Sequence, residues 1–328
     1  MANEVAKKPQ FTTALSQWTN EVVGLIVRDY GEQDVEFDSY SRECAMSAMS
    51  AIFQLVKNSD KVKDLNDIDR SNLRDIVRQC ASLKLNPNAA PRECYFQLRT
   101  KKIGSQYVQT VEMGIEGAGN DAILRNFGVD VAMVYPYWIV HDGDEFHFPR
   151  HKGVEVTPPE WEEKGMSQKV IRVVYPVLLR DGTMQYLIAE RESVKNNLFA
   201  HVRNNLMNET FGIAESRYKA TDKQKKEIDD RKETIYSALK ACETLDDMIA
   251  CDVARPYMSP AWLDSTEAMV TRKLCNNAVK RFPKSMNNMA RATFTEMDDT
   301  FRAEQEEISE NANVVEVDDP FDEGATEE

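Results

Sequence analysis

Two Asp-Gly pairs, Asp142-Gly143 and Asp181-Gly182, each stand between segments in which apolar and polar residues alternate. Such a pair suits the positive-φ positions of a tight hairpin turn, and alternation at period two fits a strand with one covered face. The spacing predicts two hairpins: Val131 to His141 returning as Glu145–Phe148, and Val170 to Arg180 returning as Thr183–Ala189. An earlier one is expected where Cys94 to Arg99 and Tyr107 to Glu112 flank Lys101-Lys102-Ile103-Gly104-Ser105. Residues 149–168 read as a Pro- and Glu-containing connection.

Helical patterns surround these strands. Ala45, Ala48, Met49, Ile52, Leu55 and Val56 make one apolar stripe on a helix from about Tyr40 to Lys57, ended by Asn58-Ser59-Asp60. Ser71 is placed to cap the next helix, whose face is Leu73, Ile76, Val77, Cys80 and Leu83 and which must stop before Asn86-Pro87. A helix over Gly117 to Phe127 ends at Gly128, another runs from Glu192 to Asn208, and 221–245 is charged nearly all round, as in a solvated projection. The order gives an α+β fold: antiparallel hairpins forming a curved sheet packed with helices, a helical N-terminal arm and an acidic, disordered C-terminal tail. We divide the chain at 1–65 (helical, for oligomerisation), 66–295 (core, with a helical insertion at 210–255) and 296–328 (tail).

Hydrophobic residues make up 42% of the 328, enough for a core. No run approaches the ~18 apolar residues of a membrane span, and Val22 to Val27 is too short for a signal-peptide core. Cys44, Cys80, Cys94, Cys242, Cys251 and Cys275 form no CxxC pair, so reduced, mostly buried thiols in a cytoplasmic protein are expected. The net charge of −14 is localised: Glu296 to Glu328 holds 14 acidic residues and one basic, a net of −13, leaving −1 for residues 1–295. Arg255 to Thr295 holds seven basic residues against Asp264 and Glu267. Partner choice follows such local charge.

Several chemistries lack their residues. There is no GxxxxGK[ST] phosphate loop. Gly114, Gly117 and Gly119 depart from the dinucleotide spacing and suit close packing or approach to a nucleic-acid backbone. His141, Asp142, Asp144, His147 and His151 sit around a turn and a proline rather than at helical ligand spacing. Asp181, Glu190, Glu192 and Lys195 are the best available nuclease set, with Asp181 already used by a turn. No cofactor or metal is expected.

Pro260 to Lys284 is more informative. At 100° per residue, Leu274, Cys275, Ala278, Val279 and Phe282 share one face, while Arg272, Lys273, Asn276, Asn277, Lys280, Arg281 and Lys284 share the other. No acidic residue interrupts from Ala268 to Thr295, whereas an ordinary solvated face mixes signs. The first hairpin adds Arg99, Lys101 and Lys102 beside Tyr95, Phe96 and Tyr107, a pairing of cations and rings that suits phosphates and stacked bases. Those rings fit a core equally well.

The stretches RQCASLKLNPNAAPRECYF (78–96), VQTVEMGIEGAGNDAILRNFG (108–128), YWIVHDGDEFHF (137–148), YPVLLRDGTMQYLIAERESV (175–194) and PAWLDSTEAMVTRKLCNNAVKRFP (260–283) occur in this order. Together they resemble the RecT family of phage single-strand annealing proteins. Departures from the family pattern are an acid in Gly114-Ile115-Glu116-Gly117, Glu192 after the retained Arg191, and Asn276-Asn277 in place of an arginine pair. The resemblance implies an ATP-independent protein that binds single-stranded DNA, pairs complementary strands in homologous recombination, and forms rings or helical filaments. It also implies a partner exonuclease and a host single-strand binding protein, in the cytoplasm of a bacterial host. Candidate DNA contacts are Arg99, Lys101, Lys102, the stacking Tyr107, Arg191, Lys195, Arg272, Lys273, Lys280 and Arg281. A metal-dependent nuclease or nuclease accessory on the same DNA is the alternative, and a purely structural oligomer is a third.

Overall fold

The computed structural model describes residues 14–60, 62–103, 106–153, 155–217 and 219–295. These form two compact units: 14–135 with 177–184 and 279–295, and 136–176 with 185–278. Helices and antiparallel strand pairs make up both, the α+β class expected. The acidic segment 296–328 lies outside the described residues.

The first unit opens with α1 (Ala14–Glu32) and α2 (Ser39–Lys57), the latter capped by Asp38, whose carboxylate accepts from the Ser41 N–H at 2.7 Å. The α2 stripe is core: Ala45, Ala48, Met49 and Ile52 are fully buried against α1 and α3 (Arg70–Ser82). The chain itself therefore covers the stripe that was offered to a neighbouring subunit. Asp69, rather than Ser71, caps α3 by accepting from the Asn72 N–H at 2.8 Å, and Ser71 donates its hydroxyl to the same carboxylate.

Strands β1 (Cys94–Ile103) and β2 (Gln106–Ile115) pair along their whole length, from Cys94 opposite Ile115 to Ile103 opposite Gln106. Phe96 and Val111 are buried at the base of this ribbon, and Asn72 clamps β2 there through the Val111 N–H (2.7 Å) and C=O (3.1 Å). At Gly114 a Cβ would meet the outer end of the Tyr95 ring, which would have to shift, and at Gly119, in α4 (Gly117–Phe127), a Cβ would strike the Glu93 carbonyl. These glycines serve packing. The short β3 (Val131–Val134) then lies against residues 177–179.

In the second unit β4 (Trp138–His141) pairs with residues 170–174, but β5 (Glu145–His147) does not return along it. The Asp142-Gly143 turn forms, with Gly143 at φ +90°, yet Asp144 redirects the chain. Its carboxylate accepts from the His141 N–H (2.9 Å), Trp161 Nε1 (3.0 Å), and the Lys164 and Gly165 N–H groups (3.2 Å each). After β6 (His151–Lys152) and β7 (Glu155–Val156), which pair with each other, β8 (Glu160–Glu162) is thereby drawn beside β5. The expected connection thus contains three short strands. At the second Asp-Gly pair the expected hairpin is found, β9 (Val170–Leu179) to β10 (Met184–Glu190), with Gly182 at φ +86°.

A single helical turn, Arg191–Val194, leads into α5 (Lys195–Leu206). The charged helix α6 (Asp222–Ala241) is not a solvated projection: Ile228, Ile235 and Leu239 are buried, and Lys232 reaches the Met207 carbonyl at 2.7 Å. Three apolar positions at helical spacing suffice for docking on α5, although charges surround them. Next come α7 (Leu245–Ala250) and α8 (Pro260–Leu263). The chain breaks at Asp264-Ser265 before α9 (Thr266–Lys280), so the expected long late helix is two.

Candidate nucleic-acid interface

A two-stranded ribbon sends successive side chains to opposite faces. The β1–β2 register therefore separates the hairpin candidates. Arg99 and Lys101 share one face with Glu112, and its two carboxylate oxygens meet Arg99 Nε at 3.0 Å and Lys101 Nζ at 3.1 Å. Burial pushes the Glu112 carboxyl up, but the two cations outweigh that and hold it below the usual carboxylate range. Arg99 also reaches the Gln97 side-chain oxygen at 3.0 Å. Two cations against one carboxylate leave this face net positive. Lys102 stands opposite Tyr107 in register, at the alternate parity, and the Tyr107 side chain is 74% exposed. Glu112 carried no signal of its own in the sequence; only the ladder register shows it to be the common partner of Arg99 and Lys101.

Arg191 is not available to a phosphate. It is 5% exposed, and all five guanidinium N–H groups are engaged. Nε and Nη2 donate to Asp246 (3.1 and 2.7 Å), Nη1 and Nη2 to Glu267 (2.8 and 2.9 Å), and Nη1 also to the Val170 carbonyl (2.8 Å). Glu267 in turn accepts from the Val170 N–H at 2.7 Å. This arginine fastens β9, α7 and α9 together, which corrects its assignment as a DNA contact. Lys195 is similarly committed, donating to the Cys242 and Glu243 carbonyls at 2.8 and 2.7 Å beyond the C-terminus of α6.

Along α9 the apolar and basic faces fall where the sequence places them. Leu274, Cys275, Ala278 and Val279 are buried, as is Phe282 just beyond, while Arg272, Lys280 and Arg281 are exposed and Lys273 is half-buried. Two polar residues of the basic face have internal tasks. Asn277 donates to Ser193 and to Asn197 Oδ1 (2.9 Å), and the Lys284 ammonium caps the helix end through the Val279, Lys280 and Phe282 carbonyls at 3.1, 3.1 and 2.9 Å. Burial, and to a lesser extent Lys280, lowers the Lys284 pKa.

The carboxylates weighed for metal chemistry are dispersed. Asp181 binds Thr183, Glu190 binds Arg172, and Glu192 accepts from the Leu245 N–H at 3.0 Å. Among the described residues no group of three or more His, Cys, Asp or Glu is placed to hold a metal ion. No described helix is long and apolar enough to cross a membrane.

The curated proteins include no match to the chain. The RecT family model, by contrast, matches residues 46–314, which span the hairpin, the Arg191 junction and α9 alike. With that match over most of its length, the chain belongs to the RecT family, whose members are DNA-binding, single-strand annealing proteins of DNA recombination.

Proposed function

We propose that this protein pairs complementary DNA single strands without nucleotide hydrolysis, as a self-assembling recombinase in the cytoplasm of a bacterial host. The observation that carries the reading is the basic face running from the middle of α9 to the residue after it, where Arg272, Lys280 and Arg281 are exposed over a buried apolar face in a stretch free of acids. Cations of this kind neutralise phosphates whatever the sequence, which gives affinity without preference. Arg99, Lys101 and Lys102 on the hairpin supply a further positive surface, and Tyr107 a ring for a base. Holding the strand by its backbone and by stacking leaves Watson–Crick edges open for a complement. Arg191 and Lys195 are left out of this set because the fold engages all five donors of Arg191 and two of the three of Lys195. A partner exonuclease would supply the single strand, and a host single-strand binding protein would be its competitor or loader.

A fluorescence annealing assay with complementary oligonucleotides, no nucleotide and an EDTA control tests the reading. Pairing with intact strands in EDTA is the expected result. Cleavage that EDTA abolishes would overturn it in favour of a nuclease, and oligomers without DNA binding at moderate salt would favour a structural role.

A further inference from the structure

The second unit carries an aromatic surface beyond the hairpin and α9. On β9, Arg172 pairs through Nε (3.0 Å) and Nη2 (3.3 Å) with the two oxygens of Glu190 on β10. Its guanidinium lies 4.4 Å from the Phe146 ring centre and 4.7 Å from that of Phe148. The two phenyl rings meet edge to face, with centres 5.1 Å apart and planes at 86°. Phe148 nevertheless remains 52% exposed.

Scattered exposed apolar residues are ordinary on soluble proteins. Phe148 differs in two respects. First, its ring is held in place from behind by a planar cation that is itself fixed by a carboxylate, so its orientation costs little further entropy on binding. Second, Arg150 and Lys152 follow within four residues, both exposed; no ion pair of either is found among the described residues, and Lys152 stands opposite Glu155 in register. A fixed, half-exposed ring followed in the chain by two exposed cations suits an unpaired base flanked by phosphates. A duplex buries its base faces in the stack and presents no such ligand.

We propose that Phe148, backed by Arg172, is a stacking platform for an unpaired nucleobase of single-stranded DNA, with Arg150 and Lys152 receiving the adjoining phosphates. This rests on the annealing reading and adds a binding site to it, separate from the hairpin and from α9 in the sequence.

The test uses the full chain and two oligonucleotides of equal length, one of thymidines and one of abasic residues with the same phosphates. Phe148→Leu keeps an apolar cover over Phe146 but removes the flat ring, whereas Phe148→Tyr keeps the ring. With melting temperatures matched, Phe148→Leu should lose about tenfold in affinity for the thymidine strand. It should change little on the abasic strand, and Phe148→Tyr should behave as the parent on both. Unchanged thymidine binding by Phe148→Leu, or an equal loss on both strands, overturns the platform while leaving the annealing reading intact. Failure of the unaltered protein to bind either strand would instead overturn the annealing reading, and the platform with it.

Discussion

Arg191 and Glu267 meet as a two-pronged pair, with Nη1 at 2.8 Å and Nη2 at 2.9 Å from the two carboxylate oxygens. Glu267 stands in the first turn of α9, where a carboxylate also complements the helix dipole. Arg191→Ala would leave Glu267 without its cation and Asp246 with Lys169 alone, and we expect a loss of about 3 kcal/mol in urea unfolding. Arg191→Lys should recover only part, since an ammonium cannot reproduce five directed donors. The salt dependence of DNA binding by the folded fraction should not change. A shallower slope would return Arg191 to the interface.

Replacing Arg272, Lys280 and Arg281 with alanine should weaken binding to all single strands alike. The slope of log K against log salt should fall by about 0.7 for each phosphate that the protein no longer neutralises. An unchanged slope, in a variant that melts normally, would remove α9 from the DNA-binding surface.

Asp144 gives a pH dependence. Burial raises its pKa, but hydrogen bonds from His141, Trp161, Gly165 and Lys164 together hold it at about 2, below the ordinary aspartate range. A folded-state pKa below the unfolded one contributes stability that is fully present above the unfolded pKa and lost as pH falls through the folded one. Asp144→Asn should therefore lower the melting temperature by a constant amount between neutral pH and about pH 5. The gap to the parent should narrow below about pH 4, where the unfolded carboxylate takes up its proton. A gap independent of pH would show that the ionised carboxylate is not what anchors the turn.

Ile52→Asp should act on folding rather than assembly. Its side chain is fully buried in α2, so an unpaired carboxylate there should cost at least ~3 kcal/mol. Urea unfolding read beside mass photometry on DNA would separate the two effects. Normal stability with smaller oligomers would restore the stripe to a subunit interface.

Ending the chain at Thr295 removes a net charge of −13. A tethered polyanion competes with DNA for nearby cations, and salt weakens that competition. The shortened chain should bind single strands more tightly at low salt, with the gain shrinking as salt rises. Equal affinities at low salt would leave the tail only a solubilising role.

Periodicity alone gave the buried faces of α2, α3 and α9, because a helix of known pitch decides which side chains share a side. It also located the β1–β2 and β9–β10 hairpins, whose turns are local. It misplaced the return of β5, because the deciding hydrogen bonds run from Asp144 to residues 161–165, some twenty positions on. The Arg191 junction was hidden for the same reason: 170, 191, 246 and 267 are brought together only by the completed fold. A basic residue after a strand reads identically whether its partner is a phosphate or a carboxylate far along the chain.

The segment 210–255, which reads as an insertion, supplies Asp246 to Arg191 and the carbonyls of Cys242 and Glu243 to Lys195. It cannot therefore be trimmed to give a minimal domain. Excision would take from Arg191 one of its two carboxylates, leaving Glu267, and from Lys195 both of its carbonyls, and a shortened design would have to replace these acceptors before any loop was closed. Interchange of parts with other members of the family meets the same constraint: a donor fragment carrying this arginine must bring its own anions.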